Sequence, residues 1–166
     1  MGIFTRFRDI VGSNINSMLD RAEDPEKLIK LMIQEMEDTL IELKTACAGV
    51  MAESKKVERQ LQGIDKRVGY WESKANLAVH KGRDDLAREA LLEKRRYAQR
   101  ARSLAVELAE HDDLLAQYKD DIRQLEDKLK TAREKERLLV QRHIHAARKK
   151  RAQEEMRRMD SADAIF

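Results

Sequence analysis

The side chains best suited to holding a metal or moving a proton are 4 histidines, 1 cysteine and 31 carboxylates. Their spacing works against such chemistry. His143 and His145 lie two apart, so on a helix they point to different faces, and no third ligand stands nearby in sequence. Cys47 has no partner for an internal disulfide and falls at a small apolar core position. His111 also falls on an apolar seam, where a histidine reads as a packed polar group rather than a catalyst. No carboxylate is isolated in an apolar stretch that would raise its pKa for acid–base work. Gly49, Gly63 and Gly69 are interior to a helical pattern, which disfavours a phosphate-cradling loop and points to local bending or close helix approach. No catalytic, metal or cofactor site is expected, and the chain is not expected to be an enzyme.

What remains is the physical chemistry of insertion. Ile3, Phe4, Phe7, Ile10, Val11, Ile15, Met18, Leu19 and Ala22 form an i, i+3, i+4, i+7 stripe over five turns. Thr5, Arg6, Arg8, Asp9 and Asp20 occupy the opposite face. One reading is a third core helix folded on the rest of the chain. The other is an interfacial helix with Phe4, Phe7, Ile10, Val11 and Ile15 as its wedge, which period and placement favour. Arg6 and Arg8 would add about 1 kcal/mol each near anionic lipid. Burying large apolar side chains at about 1.5–3 kcal/mol each outweighs that.

The elements that must position this helix follow from composition. Charged residues make up 39% and aromatics 4% of 166 residues, with a single proline. Ala, Glu, Lys, Leu and Arg together fill about half the chain, the balance of long helices or coiled coil. Few aromatics are left to wall a deep enzyme pocket. No apolar run approaches the roughly 18 residues of a membrane span, and Arg6, Arg8 and Asp9 interrupt any secretory signal core. Arg6 also stands where a myristoylation motif needs Ser or Thr.

The fold expected is all-α: an N-terminal amphipathic helix over 1–24, then a long antiparallel coiled-coil hairpin. Asp24 caps, Pro25 fits the first helical position and Glu26 suits the positive end of the dipole. From Ile29 to Ala78 apolar residues alternate at spacings of four and three, as a coiled-coil seam requires. The rhythm resumes from Ala87 to Leu139. Helices over 25–80 and 85–158 are therefore predicted, with a turn at 81–84 in which Gly82 adopts the left-handed conformation and Asp84 or Asp85 caps the next helix. Facing residues of an antiparallel hairpin keep a constant sum of positions. Ala78 then meets Ala87, Trp71 meets Lys94, Leu61 meets Leu104 and Met36 meets Leu129. That register centres the reversal between Gly82 and Arg83 and pairs Ser54 with His111 as a polar layer, which can fix register at some cost in stability.

Off the seam, Leu28, Leu31, Met32, Ile41, Met51, Leu77, Leu91, Leu92, Val106, Leu114 and Leu138 have no third layer to cover them, so further copies of the chain are the expected partner. From Arg142 to Arg158, Arg and Lys outnumber Glu154 and Glu155. This basic end is either an anionic-surface or nucleic-acid contact, or a solvated face matched to another subunit. Without aromatic stacking partners, direct nucleic-acid binding is not expected.

The run from Met1 to Val11, then Asn14-Ile15-Asn16, Ala22 to Lys27, Ile33 to Leu40, Asp84 to Ala90 and Leu139 to His143 together resemble the bacterial phage shock protein A family. The vesicle-inducing protein in plastids is a close relative of that family, and both resemble the ESCRT-III superfamily. The resemblance implies a peripheral protein of the bacterial cytoplasm and the cytoplasmic face of the inner membrane. It implies large homo-oligomers that bind anionic membrane lipids and maintain membrane integrity under stress. It further implies negative regulation of a AAA+ enhancer-binding activator of sigma-54 transcription, bound through the hairpin. On that analogy Ile3, Phe4, Arg6, Phe7, Arg8, Ile10, Val11, Ile15, Met18 and Leu19 carry membrane contact. Family members usually continue through further helices, and Asp160 or Ser161 reads as the cap of one that stops after a turn, over 159–166.

Overall fold

The computed structural model describes residues 2–165. Met1 and Phe166, the outermost residues of the first and last sequence segments, lie outside the described residues. Four helices follow one another: α1 (Ile3–Gly12), α2 (Ile15–Arg21), α3 (Pro25–His80) and α4 (Asp84–Asp163). No strand occurs among the described residues. α3 and α4 pack antiparallel as a hairpin, the all-α architecture that composition and heptads predict.

The reversal is built as the sequence requires. Gly82 has φ +69°, and Arg83 N–H donates to the Ala78 carbonyl at 2.8 Å while Gly82 N–H donates to Val79 at 3.1 Å. This closes α3 with a Schellman pair of hydrogen bonds, possible because glycine alone enters the left-handed region without a Cβ clash. Asp84 and Asp85 do not cap α4; they lie inside its first turn, and Arg83 precedes it. The Arg83 guanidinium beside Asp85, with the Leu86 backbone hydrogen bond, holds the Asp85 carboxyl below the usual range. At the other end of α3 the Asp24 carboxylate accepts from Lys27 N–H at 3.2 Å, with Pro25 and Glu26 in the first turn.

The contacts form two compact units. In Leu43–Asp120, the core runs through Leu43, Cys47, Val57 and Ala75 of α3 and Ala87, Ala90, Leu104 and Tyr118 of α4. Lys94 is half-buried, and its ammonium reaches Glu72 at 3.2 Å. In the second unit, residues up to Glu42 and from Asp121 onward, Ile29, Ile33 and Met36 pack with Leu125, Leu129 and Ala132. Every seam position named by the heptad is buried or half-buried on both helices. Two buried polar residues lie off it: Asp121, and Thr39, whose hydroxyl donates to the Glu35 carbonyl at 2.8 Å.

Two segments depart from the sequence reading. The stripe over Ile3 to Ala22 is not one helix: Ser13 is extended (ψ 145°), and Asn14 caps α2 by accepting from Ser17 N–H at 3.1 Å. Gly12, Ser13 and Asn14 are poor helix residues in succession, and Ser13 and Asn14 satisfy backbone groups locally instead. At the far end, Asp160 and Ser161 start no new helix, since α4 runs unbroken to Asp163. The Ser161 hydroxyl bonds back to the Arg158 carbonyl at 2.9 Å, which leaves it compatible with the helix interior.

Candidate functional site

The break at Ser13 divides the stripe into two parts with different fates. On α2, Ile15 and Leu19 are 6% and 7% exposed and join the core of their unit. On α1 no residue is buried. Ile3, Phe7, Ile10 and Val11 are half-buried, while Phe4 is 41% exposed. Met18 of α2 is equally open at 41%. Rotating α2 away from α1 therefore turns two of the ten candidate lipid residues inward.

Arg6 is also redirected. Periodicity assigns it to the polar face, yet its guanidinium pairs with Glu42 of α3 and approaches Glu35 at 4.0 Å. Its Nε is buried without a hydrogen-bond partner among the described residues. Arg8 and Asp9 remain exposed. From α4, Lys128 donates its ammonium to the carbonyls of Ser13 at 2.6 Å and Val11 at 3.4 Å. Sequence patterning gives no sign of Lys128, because its partners are main-chain oxygens freed only by the break.

Between the two short helices and α3 lies an apolar groove of about 290 Å³, lined by Ile10, Met18, Leu31, Met32 and Met36 with Asp9 and Glu35 at its edge. α1 thus lies over the helices without sealing against them.

Ser54 and His111, expected from the sequence to face each other, belong to the Leu43–Asp120 unit. Ser54 is 9% exposed, and His111 is half-buried with Nδ1 lacking a partner among the described residues. A cavity of about 230 Å³ beside Ser54 is lined by Met51, Leu108, Asp112 and Leu115. The basic end differs again: from 141 to 165 every residue is exposed, with Ile144, Met156 and Met159 among them. His143 Nδ1 stands 3.6 Å from Glu26, a contact that becomes an ion pair only when the imidazole is protonated. Among the described residues no group of three or more His, Cys, Asp or Glu is arranged to hold a metal, and no helix is long and apolar enough to cross a membrane.

Residues 2–165 match the PspA/IM30 family. The chain belongs to that family. Among relatives, the membrane-associated protein Vipp1 of Nostoc punctiforme is 32% identical over 165 residues, 99% of this chain and 64% of that protein. A phage shock protein A homolog of Deinococcus radiodurans is 33% identical over 153 residues, 92% of this chain and 66% of that protein. Protein LiaH of Bacillus subtilis is 22% identical over 162 residues, 98% of this chain and 72% of that protein. This PspA/IM30 chain spans about half to two-thirds of the length of the Vipp1 proteins it matches.

Proposed function

We propose that this PspA/IM30 chain is a peripheral membrane protein that inserts α1 into anionic lipid surfaces and assembles with further copies of itself to maintain membrane integrity under stress. The observation that carries this is the state of α1: an amphipathic helix whose apolar residues all retain access to solvent. A core helix would have buried them. An interfacial helix must leave its protein surface at small cost, and α1 has mostly half-buried contacts to give up. The relatives named membrane-associated point the same way.

Self-assembly is supported by the large side chains left exposed on the hairpin, among them Leu31, Ile41, Leu92 and Val106. A solvated α4 end that is basic and carries Met156 and Met159 adds to that surface. On the family analogy we place the protein at the cytoplasmic face of the inner membrane. There its hairpin restrains a AAA+ activator of sigma-54 transcription.

A second reading, a soluble coiled-coil adaptor without direct membrane contact, draws on Ile15 and Leu19 being core residues. Flotation on anionic and zwitterionic liposomes separates the two, using the parent and Phe4→Glu at low and moderate salt. The membrane reading expects the parent to float with anionic lipid and the variant to stay in solution. It also expects little salt dependence, because apolar insertion supplies most of the binding. If neither protein floats, the adaptor is favoured.

A further inference from the structure

α1 and α2 are fastened by different physics. α2 is seated by Ile15 and Leu19 in the core, whereas the ties of α1 combine half-buried apolar contacts with two polar clasps. One clasp is Arg6 with Glu42 and Glu35. The other is Lys128, itself half-buried, on the carbonyls of Val11 and Ser13. Those oxygens stand at the end of α1, where the last carbonyls of a helix lose their intrahelical donors. A cation at that end also meets the negative pole of the helix dipole. The last turn of α1 contains no basic residue of its own. Lys128 supplies from α4 what α1 lacks.

We propose that Lys128 is a positioning residue that latches α1 onto the hairpin, so that breaking its two hydrogen bonds frees α1 to swing about Ser13 and Asn14 while α2 stays seated. This rests on the reading of α1 as the lipid-contact element. The joint is suited to the motion: Ser13 and Asn14 are both extended, and Asn14 caps α2 by itself, so α2 keeps its first turn when α1 leaves. A latch of this kind sets the fraction of molecules with α1 free. Apparent lipid affinity is reduced by that fraction. Removing the Lys128 charge should therefore strengthen binding to anionic vesicles, opposite in sign to the loss of a cation that touched lipid itself.

The test uses the full chain as Lys128→Met, which keeps an apolar stem, and Lys128→Arg, which restores a cationic donor. Amide hydrogen exchange is followed without lipid. Flotation is measured on phosphatidylglycerol–phosphatidylcholine vesicles. A hydrogen bond to a charged group, weakened by partial exposure, corresponds to about a three- to thirty-fold change in the opening equilibrium. In Lys128→Met, α1 amides should exchange faster by that factor with α2 amides unchanged, and vesicle affinity should rise in parallel. Lys128→Arg should return both toward the parent. Unchanged α1 exchange would show that Lys128 holds nothing, and joint opening of α1 and α2 would remove the hinge. Faster α1 exchange with unaltered or weaker flotation of a parent that does float would overturn the gating. If neither protein floats, the lipid reading itself falls and the gating with it, while exchange still decides whether Lys128 holds α1.

Discussion

Arg6 of α1 and Glu42 of α3 form an ion pair, so a residue whose spacing assigns it to lipid headgroups is instead turned toward protein. Both side chains keep partial exposure, and pairs of this kind contribute about 0–1 kcal/mol. Glu42→Gln should lower the urea midpoint only slightly, and the difference from the parent should shrink further at high salt. A loss of several kcal/mol would mean that α1 is part of the cooperative core.

Leu19 and Phe4 offer the opposing contrast along the same stripe. Leu19→Ala removes a nearly buried side chain and should cost about 2–4 kcal/mol in urea unfolding. Phe4→Ala, at a site 41% exposed, should cost no more than about 1 kcal/mol while weakening vesicle flotation. Equal costs would show that α1 and α2 are buried alike.

Gly49, Gly63 and Gly69 have nothing within 4 Å of where a Cβ would stand. Close helix approach within the chain therefore does not explain them. Substituting Ala at each should stabilise α3 by about 0.5–1 kcal/mol, read as a raised thermal midpoint. Gly82→Ala should do the reverse by about 1 kcal/mol, because φ is +69° there and space is not the constraint.

His111→Leu replaces an unpartnered buried nitrogen with apolar volume at a seam position. Stability should rise by about 1 kcal/mol, since the orphaned group no longer has to be desolvated. A clear loss of stability in chemical denaturation would mean that the His111 ring is satisfied by a partner such as bound water.

Asn14→Ala removes the oxygen that accepts from Ser17 N–H and should cost about 0.5–2 kcal/mol. The accompanying loss of amide protection should concentrate in α2, which hydrogen exchange can localise. Protection lost evenly over α1 and α2 would argue against Asn14 as the start of a separate helix.

Most of the hairpin was legible in the sequence because its determinants are local or periodic. The four-three rhythm depends only on helix geometry, Gly82 on its own φ, and Asp24-Pro25-Glu26 on backbone groups a few residues away. The N-terminal stripe was legible as apolar and amphipathic but not as two helices. A periodic pattern cannot report a break that leaves the period intact, as the capped joint at Ser13–Asn14 does. Asp160 and Ser161 failed in the other direction: cap-forming residues were present, but nothing beyond them competed with continuation of α4.

The sequence by itself determined an all-α hairpin, its buried seam positions, its turn and an amphipathic N-terminal stripe, since each follows from short-range geometry repeated along the chain. Only the tertiary structure decided which stripe residues are spent on the core and which stay available. Ile15 and Leu19 went inward, Phe4 stayed open, Arg6 turned to Glu42, and Lys128 reached the end of α1. Those outcomes depend on groups more than 30 positions apart meeting in space, and on main-chain oxygens that no side-chain pattern encodes.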